Sequence, residues 1–508
     1  MSTRKVRSLS WIVIGFLAGV LVSLGISAAA QRGEPLPLKG LQQFANVFGA
    51  IKSSYVEPVS DQQLIDDAIR GLFTDLDPHS TYLDEEAYKQ MQDITRGGFG
   101  GLGIEIGTED GMPKVIAPIE DTPAARAGIL TGDLITRIND EPTKGMSLND
   151  AVKKMRGEPG TAINLTIQRA GSPKPLKFHI VREMIKTRSV RGKMLPGDIA
   201  YVRISQFQDR TTSDLVRMLG NLSSRTAPKG LILDLRNDPG GLLDGAIGVS
   251  SVFLEPGKLV VSTKGRIPSS NEEFYARRLT SDHGFPMDDN VGQPPAWTRT
   301  VPMVVLVNVG SASASEIVAG ALQDHKRARI LGNRTFGKGS VQSVLQLSED
   351  TGIKLTTARY YTPSGGSIQL TGVMPDDVVD DSAAGNLFQL QREVDLQHHL
   401  ENKADAKRTS GAPGEEDDDF VEGEIKMFEF GGDDDWQLRQ AINALQGRPV
   451  LKSDPALVRE ARAKAEMQAK AEPANGAAAA PAEKKTLNDS GAAVERYRVT
   501  PQGLIRTQ

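Results

Sequence analysis

Two nearly continuous apolar runs constrain this chain most. LILDL (Leu231–Leu235) and MVVLVN (Met303–Asn308) have the length of a strand, and neither shows the polar alternation of a strand with one wet face. Strands of this kind are covered on both faces, as in a parallel sheet flanked by helices. The neighbouring periodicities agree. IAYVRISQF and SVQSVLQL read as strands, and TSDLVRMLGNL and ASEIVAGALQD as helices. Residues 183–380 therefore read as an α/β core.

The remainder divides by pattern. Arg4, Lys5 and Arg7 precede the uncharged Trp11–Ala30, which ends in three alanines. Residues 1–30 have the layout of an export signal cleaved after Ala30, or of a retained anchor. Either places the rest of the chain outside the cytoplasm. Residues 31–95 form a small helical module, with Leu41, Phe44, Phe48 and Ile51 at helical spacing. Residues 96–182 read as a compact β-rich unit with two helices. Thr122, Pro123 and Gly128 mark the ends of the first helix, and Ser147 and Asp150 the start of the second. Residues 381–508 carry the acidic runs EEDDDF and GGDDDW and an Ala-rich low-complexity stretch. This extension reads as partly flexible or disordered. One short amphipathic helix, with Leu438, Ala441, Ile442 and Leu445 on one face, suits core or oligomer packing.

Composition removes whole classes of chemistry. With no cysteine, disulfides, thiolate nucleophiles and zinc-thiolate sites are excluded. The six histidines show no metal-ligand spacing, and a net charge of −4 gives no general pull toward nucleic acid. No metal, cofactor or nucleic-acid partner is expected. GNRTFGKGS (Gly332–Ser340) has the glycine–lysine spacing of a phosphate-binding loop, but SVQSVLQL follows it as a strand where such a loop needs a helix. Gly339 also stands where that loop needs a hydroxyl.

Lys338 suits another task. In MVVLVNVGSASASE an apolar strand turns through small residues into a helix, with Ser311, Ser313 and Ser315 at the helix start. A hydroxyl there lies in the positive field of the helix end, which favours the oxyanion of an acyl-transfer transition state. Ser313-x-x-Glu316 is equally a capping box. A serine nucleophile needs a base, and a lysine serves when burial lowers its pKa. No acidic residue lies between Asn333 and Leu347, and Gln342 could orient a neutral amine. His325 lies at the far end of the helix, which disfavours a Ser-His-Asp arrangement. Asn237–Gly241, at the end of the LILDL strand, could supply oxyanion amides.

SASASEIVAGALQDHKRARILGNRTFGKGSVQ, with LDPHSTYL, GLGIEI, LDLRNDPGG and GVMPDDVV in the same order, resembles the carboxyl-terminal processing (tail-specific) proteases across residues 40–380. The resemblance implies an α/β multidomain Ser-Lys serine endopeptidase with an inserted PDZ domain at 96–182. It makes Ser313 the nucleophile, Lys338 the general base and Gln342 its positioner. Ala314 and Gly240 would supply the oxyanion hole, with Gly241 as the alternative. Gly101, Leu102, Gly103 and Ile104 would receive the terminal carboxylate of a substrate tail, with Leu102 and Ile104 beside an apolar last side chain. The implied setting is a periplasm and the implied partners are envelope proteins with apolar C-terminal tails. An adaptor, a homo-oligomer and membrane association through residues 11–30 are further expectations. The rival reading is an inactive or adaptor-dependent PDZ scaffold. A lipase-type hydrolase is disfavoured because G-x-S-x-G is absent.

Overall fold

The computed structural model describes residues 37–460 except 110, 120–121, 170–171, 173, 187, 280–292, 387–390 and 403–427, together with 463, 496–500 and 503–507. The export or anchor segment, residues 1–30, and the EEDDDF run lie outside the described residues. The chain forms two units, residues 1–72 and 73–508. In the first, Leu38–Ser54 and Asp61–Gly71 are helices. Ser60 caps the second helix by accepting the Gln63 N–H.

The centre of the second unit is a six-stranded sheet of β1 (Val190–Leu195), β2 (Ile199–Ile204), β3 (Gly230–Asp234), β4 (Met303–Val307), β5 (Arg329–Gly332) and β6 (Asp377–Val378), in that spatial order. β1 runs antiparallel to β2 and the other pairs are parallel. The apolar runs have the anticipated cause. Leu231, Leu233, Val305 and Val307 face α1 (Thr211–Leu222), α2 (Leu243–Phe253) and α3 (Ala314–Asp324), while Ile232, Val304 and Leu306 face α4 (Trp436–Leu445). Successive side chains on a strand point to opposite faces, so a sheet with helices on both sides needs apolar residues at both parities. Leu438 and Ala441 of α4 are buried there, so this stretch of the extension completes the core.

A second sheet centres on the ten-residue strand Gly352–Tyr361, which pairs with Ser340–Gln346, Leu259–Gly265 and Thr81–Leu83. The LDPHSTYL segment, grouped by sequence with the helical module, thus joins this sheet. Residues Asn333–Gly339 cross from β5 to Ser340–Gln346, which is a strand, as the argument against a phosphate loop requires.

The β-rich unit has the expected pattern of strands and two helices, Pro123–Ala127 and Leu148–Met155. Pro123 is its helix's first residue, Gly128 ends it at φ 83°, and Ser147 caps the second helix. Gly98–Gly101 and Glu183–Lys186 pair antiparallel at its entrance and exit, so it is an insertion closed at its base. Ile104–Glu109 lies at the edge of its sheet, paired among the described residues only with Met112–Pro118.

Candidate active site

The three serines at the start of α3 have different work. Ser311 Oγ donates to Leu235 O at 2.8 Å, and Ser315 Oγ donates to Asp238 O at 3.0 Å. Both are fully buried and tie the turn to the end of β3. Ser313 keeps 8% of its surface exposed and holds φ 54°, a positive value that non-glycine residues avoid. Its N–H donates to Glu316 Oε2 at 2.8 Å, as the anticipated capping box requires.

Glu316 joins two loops that the sequence separates. Its Oε2 also accepts the Lys338 N–H at 2.9 Å, and its Oε1 accepts the Gly337 N–H at 2.7 Å and the Thr335 hydroxyl at 2.6 Å. One carboxylate oxygen therefore binds the backbone of both Ser313 and Lys338. Burial pushes Glu316 up to about 7, against four donors that favour its charged form.

Burial, reinforced by the like charge of Lys354, lowers Lys338 to about 8. Glu393, Glu316 and Asp77 pull the other way. The local absence of acids in the sequence is thus offset by carboxylates that the fold imports from elsewhere. Among the described residues no hydrogen bond joins Ser313 Oγ to Lys338 Nζ, and none joins Gln342 to Lys338. Gln342 Nε2 instead donates to Ser340 Oγ at 2.8 Å and Thr356 Oγ1 at 3.3 Å. Thr356 Oγ1 donates in turn to Asp77 Oδ1, which also accepts the His79 and Ser80 N–H groups. This is how LDPHSTYL reaches the site. His325 Nε2 is bonded to Leu259 O, away from the helix start.

Ala314 is the first residue of α3, and its N–H has no acceptor among the described residues. The Gly240 N–H is taken by Asp238 Oδ1 at 2.9 Å, while the Gly241 N–H has no acceptor among the described residues. A Cβ on Gly240 would lie 2.6 Å from Ala312 O, 2.8 Å from Ala314 N and 2.9 Å from Ser313 Cβ. Gly240→Ala is accordingly expected to cost on the order of 100-fold in kcat, read by steady-state cleavage, because backbone at the serine must move. Unchanged kcat would detach this loop from the site.

In the β-rich unit Gly101 ends the entrance strand, and the Leu102 and Gly103 N–H groups have no acceptor among the described residues. Gly103, at φ 75°, leaves no room for a side chain against Thr122. The Leu102 side chain enters the unit's core and Ile104 packs at its margin.

Comparison with known proteins supplies the class. Residues 198–379 match peptidase family S41, 114–169 match a PDZ domain, and 24–87 match the N-terminal domain of the activating protease CtpB. The chain is 43% identical over 446 residues to a carboxy-terminal-processing protease of Bartonella bacilliformis, covering 86% of this chain and 96% of that protein. It is 35% identical over 326 residues to the carboxy-terminal processing protease CtpA of Bacillus subtilis, covering 64% of this chain and 66% of that protein. A solved photosystem II D1 C-terminal processing protease is similar at 29% identity, covering 67% of this chain and 93% of that one, with a TM-score of 0.38. Fold and matches define a serine-type peptidase with a PDZ domain. The chain belongs to the carboxy-terminal processing protease family.

Proposed function

We propose that the chain is an exported, periplasmic endopeptidase that cleaves proteins at or near their C-termini, with Ser313 as nucleophile and Lys338 as general base. The observation that carries this reading is the shared Glu316 oxygen, which holds the backbones of Ser313 and Lys338 against one atom. Desolvation of Lys338 supports it, because a base near pKa 8 is partly neutral at working pH. The amine takes the Ser313 proton as Oγ attacks the scissile carbonyl, and the ammonium returns it to the leaving amine. Ala314 N–H and Gly241 N–H are the ready oxyanion donors. Gly240 N–H joins them when its turn with Asp238 opens. Gln342, anchored through Thr356, orients the amine once the side chains close up.

The inserted domain captures the substrate's tail. Gly101–Ile104 offers amides to the terminal carboxylate, and the edge strand Ile104–Glu109 offers a partner for an extended chain. Apolar tails suit this site, and envelope proteins are the substrates in reach of an exported enzyme. An adaptor, a homo-oligomer and inner-membrane association through residues 11–30 remain part of this reading. The second reading, an inactive or adaptor-dependent PDZ scaffold, draws on the absence of a Ser313–Lys338 hydrogen bond among the described residues.

The test is cleavage of an unstructured protein ending in apolar residues, with products mapped by mass spectrometry. The same substrate ending in aspartate is expected to be cut with about tenfold lower kcat/KM. Equal rates on both tails would remove tail capture from the mechanism, and no cleavage of either without a partner protein would favour the adaptor-dependent reading.

A further inference from the structure

The loop carrying Lys338 is gripped from outside the peptidase-family match by Glu393 and Arg392, downstream of it, with His79, upstream of it, behind Glu393. Glu393 is 1% exposed. Its N–H donates to Phe336 O at 3.1 Å. Its Oε1 accepts from Gln369 Nε2 at 3.0 Å, and Gln369 Oε1 accepts the Gly339 N–H at 3.0 Å. The loop is therefore held on both sides of Lys338. Glu393 Oε2 lies 2.7 Å from His79 Nε2, closing a contact between residues 314 apart in sequence. Arg392 adds bonds to Thr335 O at 3.2 Å and Leu370 O at 3.0 Å.

Holding a loop does not require a charge. A glutamine at 393 could hold the loop as well, accepting from Gln369 through its oxygen and donating to His79 through its nitrogen, whereas a buried carboxylate carries a desolvation cost. A carboxylate beside a base has a consequence that a neutral amide lacks. We propose, resting on the assignment of Lys338 as the general base, that Glu393, oriented by His79, is a positioning residue that clasps the base loop on both sides of Lys338 and sets a carboxylate in its surroundings. Among the described residues, the charged groups that act on Lys338 are Lys354, Glu393, Glu316 and Asp77, with His79 behind Glu393. Lys354 favours the neutral amine and Glu393 the ammonium, and their balance sets where the base titrates.

The full chain would be assayed from pH 6 to 10 on the apolar-tailed substrate, with thermal unfolding measured alongside. Activity requires the neutral amine, so it rises with pH. In Glu393→Gln the low-pH limb is expected to move down by about half to one unit, with Tm nearly unchanged. In Lys354→Met the limb is expected to move up, the opposite sign. Glu393→Ala, which also loses the clasp, is expected to lower kcat about tenfold or more with little change in KM. An unmoved limb in Glu393→Gln, or Gln and Ala variants equally impaired with lowered Tm, would overturn the proposal and leave Glu393 a scaffold residue. Retained activity in Lys338→Ala would instead sink the base assignment itself.

Discussion

Lys338→Met is expected to reduce kcat/KM by about three to four orders of magnitude while making the protein more stable near neutral pH. Methionine keeps the length and apolar stem of lysine, so the loop held by Glu316 and Gln369 keeps its packing. What disappears is the proposed proton acceptor, and the described residues offer no substitute at hand. His325 is bonded to Leu259 O, His79 faces Glu393, and both Glu316 oxygens are taken by donors. Ser313→Ala is expected to show the same loss, and the double variant no more than either single one, since the two groups act as a unit. The stability gain follows from linkage. Lys338 titrates near 8 in the folded protein and near 10.5 when unfolded, so the unfolded chain binds more protons between those values. Native stability is therefore lowest below about pH 8 and rises as pH climbs through that window. Removing the desolvated ammonium is expected to return about 1–3 kcal/mol at pH 7, read from urea unfolding. An inactive variant that is also less stable would mean the loop collapsed, and the activity loss would then say nothing about a base.

The sheet was legible because its cause is local. A strand covered on both faces must be apolar at both parities, and LILDL and MVVLVN carry that requirement in consecutive letters. The strand–turn–helix at Ser313 and the rejection of a phosphate loop at Lys338 were legible for the same reason. The choice among Ser311, Ser313 and Ser315 was not a local matter. It depends on Leu235 O and Asp238 O, which accept from the outer two and come from the turn after β3. Glu316 was visible as a capping residue, but its grip on Gly337 and Lys338 requires the loop after β5 to return to the start of α3. Glu393 gave no sequence signal, and LDPHSTYL marked His79 only as part of a family motif, because neither periodicity nor spacing relates residues 314 apart. The acidic run GGDDDW shows the limit most clearly. It reads as solvated charge, and Asp434 and Asp435 are identical letters, yet Asp435 is fully buried on a guanidinium.

That contact carries the second large effect. Arg236→Met is expected to destabilise the protein by about 3–5 kcal/mol, measured by urea unfolding at pH 7. The Arg236 guanidinium is fully buried and donates to Asp234 Oδ1 at 2.9 Å, to Asp435 Oδ1 at 2.8 Å, and to Asp234 Oδ2 and Asp435 Oδ2 at 2.6 Å each. Phe430 lies over it at 4.6 Å. Asp435 also caps α4 by accepting the Leu438 N–H, so Arg236 fastens the downstream segment to the end of β3. Methionine fills much of the volume but leaves buried Asp435 without its cation and Asp234 with only Arg203 and the Tyr201 hydroxyl, and a buried charge that loses its partner costs more than a paired charge contributes. Asp435→Ala should cost less, because Asp234 still answers Arg236. The same cluster sets the acid limit. Burial works to raise Asp234, but Arg236, Arg203 and the Tyr201 hydroxyl hold it at about 2, below its ordinary 3.8. A depressed carboxylate contributes stability above its unfolded pKa and loses it as pH falls toward the folded one, here between about 4 and 2. The parent should therefore lose stability through that window. Since Arg236 lies directly before the Asn237–Gly241 turn, its variant should also lose activity at temperatures where the fold persists. An Arg236→Met protein within 1 kcal/mol of the parent would show that the downstream segment is fastened by apolar packing alone.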